Sequence, residues 1–227
     1  MDSQRLAEVA GALSSETRAA TMCALMSGTA HTGRELAASV GVAPSTMSEH
    51  LGVLVDSGLV SIEPQGRHRY FRVAGPEIAA AIEQLNVTAS LVAPLDLPRL
   101  PASLRFARSC YDHLAGVIAV VLADRLQALD AVVLDAEGAR LGPGASGVLT
   151  TMDIDLEQYR SSSAPTVRSC LDWSQRRPHL AGRLGRAMLD TAFDRQWVVR
   201  HETRPRELRL TTAGRAALVG QLGLELP

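Results

Sequence analysis

The sequence predicts a mainly helical α+β fold with small β-hairpins, divided between two domains. Three observations predict it: helical patterns separated by short turns, two adjacent strand patterns, and a motif that occurs twice in the second half. The length of 227 residues suits one or two domains, and a composition of 46% apolar and 21% charged residues excludes a disordered chain.

Three short helices are predicted in the first forty residues. The second runs from about Glu16 to Met26, and the third from Gly33 to Val40. The third ends at Gly41, because a glycine just after a helix readily adopts the left-handed conformation that closes it. The first helix is predicted from an apolar face at helical spacing, formed by Leu6, Val9, Ala10 and Leu13.

A fourth helix begins at Pro44 and ends at Gly58, because proline suits the first turn of a helix. Two strands follow, Leu59–Glu63 and Tyr70–Val73, and a further helix begins at Pro76. Two helices joined by a short turn and followed by a β-hairpin have the order of a winged helix-turn-helix.

The helix from Pro44 and the hairpin tip carry side chains suited to DNA. In such a fold the second helix lies in the major groove, small polar groups permit close approach, and arginines at the tip suit phosphate or the minor groove. Glu49 can accept from a cytosine amine. His50 is equally compatible with a packed or capping histidine, and the tip with a solvated turn. The candidate DNA-binding residues are Ser45, Thr46, Ser48, Glu49, His50, Arg67, His68 and Arg69.

Four segments together give the first ninety residues a family resemblance: Gly33–Ala37, Ala43–Leu51, Asp56–Val60 and Gly66–Phe71. They resemble the ArsR-type winged-helix transcriptional regulators. The resemblance implies a homodimer paired through the first and last helices of the domain and bound to a palindromic operator, usually as a repressor. It also implies release by a metal ion or another small inducer.

Two departures from that family concern its metal sites. Members that sense arsenic or cadmium often carry Cys-x-Cys on the helix before the recognition helix, but Glu35–Val40 contains no thiol. Members that sense zinc often carry Asp and His ligands on the last helix, but Ile78–Leu85 contains one carboxylate and no histidine. Any sensing is therefore expected elsewhere in the chain.

A proline-spaced linker is predicted at 91–105, between a DNA-binding and dimerisation domain at 1–90 and a C-terminal domain at 106–227. Pro94, Pro98 and Pro101 disfavour helix there and favour an extended, semi-rigid chain.

The C-terminal domain contains a duplicated motif. The run 108–116 is echoed by 168–172 and, after six further residues, by 179–182. Each repeat, about 106–160 and 166–227, is predicted as a helix, a strand, a turn, a strand and a final helix, which makes two winged-helix-like repeats. Residues 142–147 are expected to form a loop. The repeats are expected to pack about a local pseudo-twofold axis, since neither buries its apolar stripe alone.

The duplication places a cysteine, an aspartate and a histidine at equivalent points of each repeat. Each cysteine is predicted beside a helix start and an arginine, which would lower its pKa. Cysteine and histidine together suit zinc, copper or similar ions, so one hypothesis is a soft-metal or thiol-reactive sensor. The alternative is that the cysteines are small buried residues and the aspartates cap helices or pair with Arg108 and Arg168. The candidate effector residues are Cys110, Asp112, His113, Cys170, Asp172 and His179.

Charge and hydropathy exclude several classes of function. The net charge is −1, so DNA binding would depend on locally placed arginines rather than on bulk charge. The longest uncharged apolar run, Leu114–Ala123, is too short to span a membrane, and no secretory signal is expected at the start. Three cysteines make no disulfide framework and favour a reducing cytoplasm.

Three functions are compatible with these observations. The favoured one is a non-enzymatic, dimeric repressor on a double-stranded DNA operator, released by an inducer sensed in the C-terminal half; a soft transition-metal ion, a thiol-reactive species and a small molecule are the candidate inducers. A thiol-based enzyme is disfavoured, because the sequence has no oxyanion-hole glycine loop, phosphate-binding loop or nucleophile elbow. A protein-interaction adaptor with a degenerate winged helix stays open because the first domain is acidic.

Overall fold

A computed structural model describes residues 2–92, 101–135 and 138–226. The chain divides into two compact units, one formed by residues 1–85 with 202–205 and the other by residues 86–201 with 206–227. Within the described ranges, none of the helices has both the length and the apolar character needed to cross a membrane.

The first unit contains a helix-turn-helix and a three-stranded sheet. The strand order is β1-β3-β2, and β2 and β3 form the antiparallel hairpin that we call the wing. The mixed α+β fold with an N-terminal winged helix-turn-helix is thereby confirmed. The elements are α1 (Ser3–Leu13), α2 (Glu16–Leu25), β1 (His31–Thr32), α3 (Gly33–Val40), α4 (Pro44–Asp56), β2 (Val60–Gln65), β3 (His68–Val73) and α5 (Pro76–Val92), which continues into the second unit.

Capping residues fix the two helices of the helix-turn-helix. The Thr32 backbone N–H donates to the Glu35 carboxylate at 2.7 Å, and the Glu35 N–H donates to the Thr32 hydroxyl, which forms a capping box at the start of α3. Gly41 closes α3 with a φ of 80°. Pro44 opens α4, whose apolar face packs into the core through Met47, Leu51 and Leu54.

The predicted linker at 91–105 differs from an extended chain at both ends. Helix α5 reaches Val92, and Ala102–Phe106 forms a short helix, α6. Pro101 permits α6 because it lies just before the first helical residue, where no intrahelical N–H is needed. Residues 93–100, which include Pro94 and Pro98, lie outside the described residues.

The second unit contains the two repeats, and each has a hairpin, a helix, a second hairpin and a final helix. The prediction that each repeat begins with a helix was wrong. The first repeat consists of β4 (Arg108–Cys110), β5 (His113–Ala115), α7 (Val117–Ala128), β6 (Val132–Asp135), β7 (Gly138–Leu141) and α8 (Ala145–Met152). The second consists of β8 (Arg168–Leu171), β9 (Pro178–Ala181), α9 (Gly182–Asp194), β10 (Val198–Arg200), β11 (Leu208–Leu210) and α10 (Thr212–Leu222).

Two glycines explain where the strands give way to helices. Gly116 has a φ of 93° and Gly182 a φ of 75°, a region that L side chains rarely adopt. A Cβ on Gly116 would lie 2.7 Å from the carbonyl oxygens of Arg105 and Phe106, and a Cβ on Gly182 would lie 2.6 Å from that of Pro165. The Leu-Ala-Gly run therefore ends a strand instead of continuing a helix. The loop expected at 142–147 is also partly helical, since α8 begins at Ala145.

The repeats pack on each other reciprocally. Helix α7 packs against β9, α9 packs against β5, and β5 lies beside β9. This exchange of partners is the arrangement that a local twofold axis produces. The shared core contains residues of both repeats, among them Ile118, Leu122, Leu184, Met188 and Trp197.

Candidate functional site

The polar side of α4 is open to solvent in its first two turns. Ser45, Ser48 and Glu49 are exposed, and Thr46 and His50 are partly exposed. Their exposure follows from the helical period, because the apolar residues of α4 occupy the opposite face. The structure thus places all five predicted residues of this helix on its accessible side.

The tip of the wing carries the remaining predicted DNA contacts. Arg67, His68 and Arg69 are exposed, and the Arg67 Nε donates to the His68 Nε2 at 3.3 Å. Arg72, on the same strand, differs because it pairs with Glu63 at 3.2 Å. The wing therefore presents the Arg67 and Arg69 charges at its tip and a compensated arginine further along.

Four side chains of the second unit converge in its interior. Cys110 and His113 are direct partners across the β4–β5 hairpin, and Cys170 and His179 are direct partners across the β8–β9 hairpin. Cross-strand partners project from the same face of a hairpin, so each repeat contributes one thiol and one imidazole. We call these four residues the Cys–His cluster.

The Cys–His cluster is compact and buried. One ligand atom from each residue lies within 4.8 Å of the corresponding atoms of the other three, and every residue is at most 7% exposed. The sulfur atoms of Cys110 and Cys170 are 3.9 Å apart. The rings of His113 and His179 have centroids 5.1 Å apart and planes inclined by 31°.

A carboxylate lies behind each imidazole. The Nδ1 of His113 is 3.0 Å from the Asp112 Oδ1, and the Nδ1 of His179 is 3.7 Å from the Asp172 Oδ2. Among the described residues, the Nε2 of His113 and both ring nitrogens of His179 have no hydrogen-bond partner. Since buried polar atoms are almost always hydrogen-bonded, unpartnered nitrogens beside two thiols indicate a site for a ligand.

The electrostatics of the cluster favour a thiolate. Burial lowers the pKa of His113, but the neighbouring Asp112 and Cys170 outweigh burial and raise it to about 9. The hydrogen bond with Cys110 lowers the pKa of the Cys170 thiol far below its ordinary value, against the effect of burial, and His113 and His179 act in the same direction. Cys110, His113 and His179, rather than the predicted helix N-termini, thus lower the pKa of the Cys170 thiol, because both cysteines lie on strands.

Asp172 is the most completely bonded carboxylate near the cluster. Its Oδ2 accepts from Arg108 at 2.8 Å and from the Gly116 N–H at 2.7 Å. Its Oδ1 accepts from the Ser174 N–H and hydroxyl and from the Gln175 N–H. Although burial raises the pKa of Asp172, the Arg108 guanidinium holds it well below its usual range. Arg108 and Asp172 therefore form a buried ion pair in which both carboxylate oxygens accept hydrogen bonds.

One alternative from the sequence was that Asp112 and Asp172 cap helices or pair with Arg108 and Arg168, and the pair that forms joins the two repeats. Arg108 of the first repeat pairs with Asp172 of the second, and the guanidinium of Arg108 lies 4.2 Å from the ring centroid of Trp173. The reason is the longer turn of the second repeat, which folds Asp172 back into the interior. The Asp-x-Ser sequence at 172–174 is typical of an Asx turn and was the signal for this fold-back.

The chemistry open to the cluster follows from its donors. Two thiols and two imidazoles are a donor set of structural zinc sites, which are closed by four protein ligands, whereas catalytic zinc sites keep one position open. Asp112 and Asp172 lie behind the histidines rather than among the converging donors. The six predicted effector residues thus meet as four potential ligands and two supporting carboxylates.

Comparisons with known proteins agree with the winged helix. Residues 15–61 match the family described as "Bacterial regulatory protein, arsR family". The chain is 35% identical over 225 residues to the uncharacterized HTH-type transcriptional regulator YdfF of Bacillus subtilis (strain 168), and the match covers 97% of this chain and 98% of YdfF.

Two solved structures are similar over the first part of the chain. The homodimeric winged helix-turn-helix DNA-binding domain of Mb0332 from Mycobacterium bovis, a possible ArsR-family transcriptional regulator, is 26% identical with a TM-score of 0.37, covering 38% of this chain and 80% of that one. HlyU from Vibrio cholerae is 25% identical with a TM-score of 0.35, covering 38% of this chain and 95% of that one.

The two sequence matches differ in how much of the chain they cover. The arsR match contains α2 and the two helices of the helix-turn-helix, α3 and α4, and the match to YdfF extends over both units. Together they indicate a transcriptional regulator rather than an enzyme. The chain belongs to the ArsR family of bacterial HTH-type transcriptional regulators.

Proposed function

We propose that this regulator is a dimeric repressor that binds a palindromic operator through α4 and the wing and is released by an effector sensed in its second unit. The observation that carries the proposal is the pairing of an exposed polar helix face with an arginine-tipped wing in one unit. In a winged helix, base edges are read by the helix, and the phosphates are contacted by the wing.

The residues proposed to contact DNA divide into two roles. Ser45, Thr46, Ser48, Glu49 and His50 lie where a major-groove helix meets base edges, with Glu49 suited to accept from a cytosine amine. Arg67 and Arg69, with His68 between them, supply phosphate or minor-groove contacts. Because the chain is close to neutral overall, affinity depends on these few local charges.

Dimerisation is supported by the surface of α1. This helix buries only Ala12 and leaves Leu6 63% exposed on its apolar side. An apolar face that the described residues leave exposed is suited to a second copy. A dimer would read two half-sites about 34–36 Å apart, one turn of the double helix.

The proposal is tested by selecting genomic fragments with the full-length protein and titrating the selected operator over a range of salt concentrations. Arg67→Ala and Arg69→Ala should each weaken binding and reduce the salt slope by about one unit, since each removes one phosphate contact. Arg72→Ala is the matched control, because Arg72 is on the same strand but pairs with Glu63.

Two outcomes would count against the proposal. If no fragment is enriched, the winged helix does not bind DNA, and the adaptor function takes its place. If Arg67→Ala and Arg69→Ala behave like Arg72→Ala at every salt concentration, the wing has no part in binding. For the dimer, sedimentation should show a twofold mass that Leu6→Glu reduces to the monomer; a wild-type monomer at operator-binding concentrations would contradict it.

A further inference from the structure

We propose that the Cys–His cluster binds one zinc-class divalent ion in tetrahedral geometry, with the sulfur atoms of Cys110 and Cys170 and the Nε2 atoms of His113 and His179 as ligands. Each repeat contributes one sulfur and one nitrogen, so the ion joins the two repeats. Binding does not depend on the proposed function; only its effect on the operator, considered below, rests on that function.

The distance between the sulfurs supports a shared ion. Two thiolates bound to one tetrahedral zinc with Zn–S bonds of about 2.3 Å are separated by about 3.8 Å. The observed separation of Cys110 and Cys170 is 3.9 Å, whereas a disulfide requires about 2.05 Å. All four ligand atoms lie within 4.8 Å of one another, close enough to contact one ion after small side-chain adjustments.

Asp112 supports Nε2 as the ligand atom of His113, and Asp172 lies on the Nδ1 side of His179. Asp112, 3.0 Å from the Nδ1 of His113, holds the proton on that nitrogen and leaves the Nε2 lone pair for the ion. Asp172 is placed behind the Nδ1 of His179 at 3.7 Å. Zinc-bound histidines usually have such a partner, which fixes the tautomer and the ring orientation.

The surroundings favour a divalent ion with soft or borderline character. Thiolate and imidazole donors select zinc and its tetrahedral analogues cobalt(II) and cadmium(II), whereas magnesium and calcium require oxygen ligands. Two thiolates and two neutral imidazoles around a divalent ion give a buried site with no net charge, and the nearby Arg108 is already neutralised by Asp172.

The first test is the metal content of the full-length protein, purified natively without chelator. The wild type and Cys23→Ser should each contain one zinc per chain, whereas Cys110→Ser and Cys170→Ser should have lost it. Cys23 is the matched control because it is the remaining cysteine and lies in α2 of the other unit. Circular dichroism shows whether each variant is folded.

A second measurement keeps the test decisive if the cysteine variants do not fold. Apo wild-type protein titrated with cobalt(II) should reach one equivalent and show thiolate-to-cobalt charge transfer with the intense d–d bands of a tetrahedral S₂N₂ site. His179→Asn should change that spectrum. Three results would overturn the proposal. The first is wild-type protein that contains no zinc and takes up no cobalt under reducing conditions. The others are unchanged metal binding in Cys110→Ser/Cys170→Ser and a native Cys110–Cys170 disulfide found by mass spectrometry.

The effect on DNA is measured separately, with the selected operator and zinc as the added probe. A tenfold or larger loss of operator affinity when zinc fills apo protein, absent in Cys110→Ser/Cys170→Ser, would identify the ion as the effector. Stoichiometric zinc with unchanged operator affinity would support the site and overturn its role as effector. Failure to bind any operator, with zinc still bound, would count against the proposed function alone.

Discussion

In the first repeat of the second unit, two residues join the strands that carry the cysteine and the histidine, whereas in the second repeat six residues join them. Both hairpins still pair the cysteine with the histidine in direct register. The difference in turn length changes what the aspartate can do. Asp112, in the short turn, is 31% exposed and contacts the neighbouring His113, while Asp172 is completely buried and contacts groups from both repeats.

The equivalent arginines of the two repeats differ in exposure, as the aspartates do. Arg108 is 1% exposed and pairs with Asp172, whereas its equivalent Arg168 is partly exposed at the surface. The duplicated cysteines and histidines thus share one geometry, whereas the duplicated arginines and aspartates form one buried pair and leave two accessible residues. The duplicated sequence therefore predicts matching geometry for the cysteines and histidines of the two repeats. It does not predict matching geometry for the arginines and aspartates beside them.

The largest effect should come from breaking the buried ion pair. Arg108→Met leaves Asp172 charged and uncompensated in the interior, and we expect it to lower the free energy of unfolding by about 3–5 kcal/mol. Arg168→Met is the matched control in the other repeat, with an expected change within about 0.5 kcal/mol. Urea unfolding measures the free energy of unfolding of both variants. Equal losses would mean that the buried ion pair does not make Arg108 more important for stability than Arg168.

The next prediction concerns the glycine with positive φ that each repeat has between its first hairpin and its first helix. Gly116→Ala and Gly182→Ala should each destabilise the protein by at least about 2 kcal/mol, because alanine is strained at positive φ and its Cβ would contact backbone carbonyls. Gly220→Ala, in helix α10 with open space around it, should be neutral or stabilise by up to about 1 kcal/mol. Thermal unfolding compares the three; a tolerant Gly116 beside an intolerant Gly182 would mean that the repeats begin their helices differently.

The two units differ in how much of their structure local sequence signals predict. Pro44, Gly41 and the apolar spacing of α4 are local signals, and they predicted the helix-turn-helix and its exposed face. In the second unit, the duplication predicted a cysteine and a histidine at equivalent points of each repeat. The strands carrying them are only three or four residues long and precede apolar helices, so the helical pattern masked the hairpins.

The pairing of Arg108 with Asp172 could not be predicted from local pattern. It depends on how the six-residue turn of the second repeat folds and on how the repeats pack against each other. Both are tertiary features, and Arg108 and Asp172, which are 64 positions apart, show no periodic signal of their contact. The contact between Asp112 and His113 is local, because it joins adjacent residues. The role of Asp112 nevertheless depends on the Cys–His cluster, which is a tertiary feature.

A smaller effect concerns metal affinity rather than stability. Asp112→Ala removes the acceptor that orients His113, and we expect zinc affinity to fall about 10–100-fold, with little change in the apo protein's stability because Asp112 is partly exposed. Asp135→Ala, which removes a surface partner of Arg140 in the second hairpin of the same repeat, is the control and should leave affinity unchanged. Competition with a zinc chelator measures both; equal affinities would mean that Asp112 does not support the site.

The smallest effect lies at a contact between the repeats outside the ligand site. After α8, the hydroxyl of Tyr159 donates to the Asp190 carboxylate of α9 at 2.8 Å. Tyr159→Phe should lower the free energy of unfolding by about 1 kcal/mol, the usual net contribution of such a hydrogen bond. Arg160→Ala is the neighbouring control, since its ion pair with Glu157 is exposed and contributes at most a few tenths of a kcal/mol.

The dependence of the Tyr159 contact on pH can be derived from its titration. Burial, together with the hydrogen bond to Asp190, raises the pKa of Tyr159 from 10.0 to about 12. Because the folded pKa lies above the unfolded one, the stabilisation is fully present below pH 10 and is lost as the pH rises towards 12. The difference between wild type and Tyr159→Phe should therefore be constant from pH 7 to 9. A difference that already shrinks within that range would mean that the phenol ionises normally and that this contact does not join the repeats in solution.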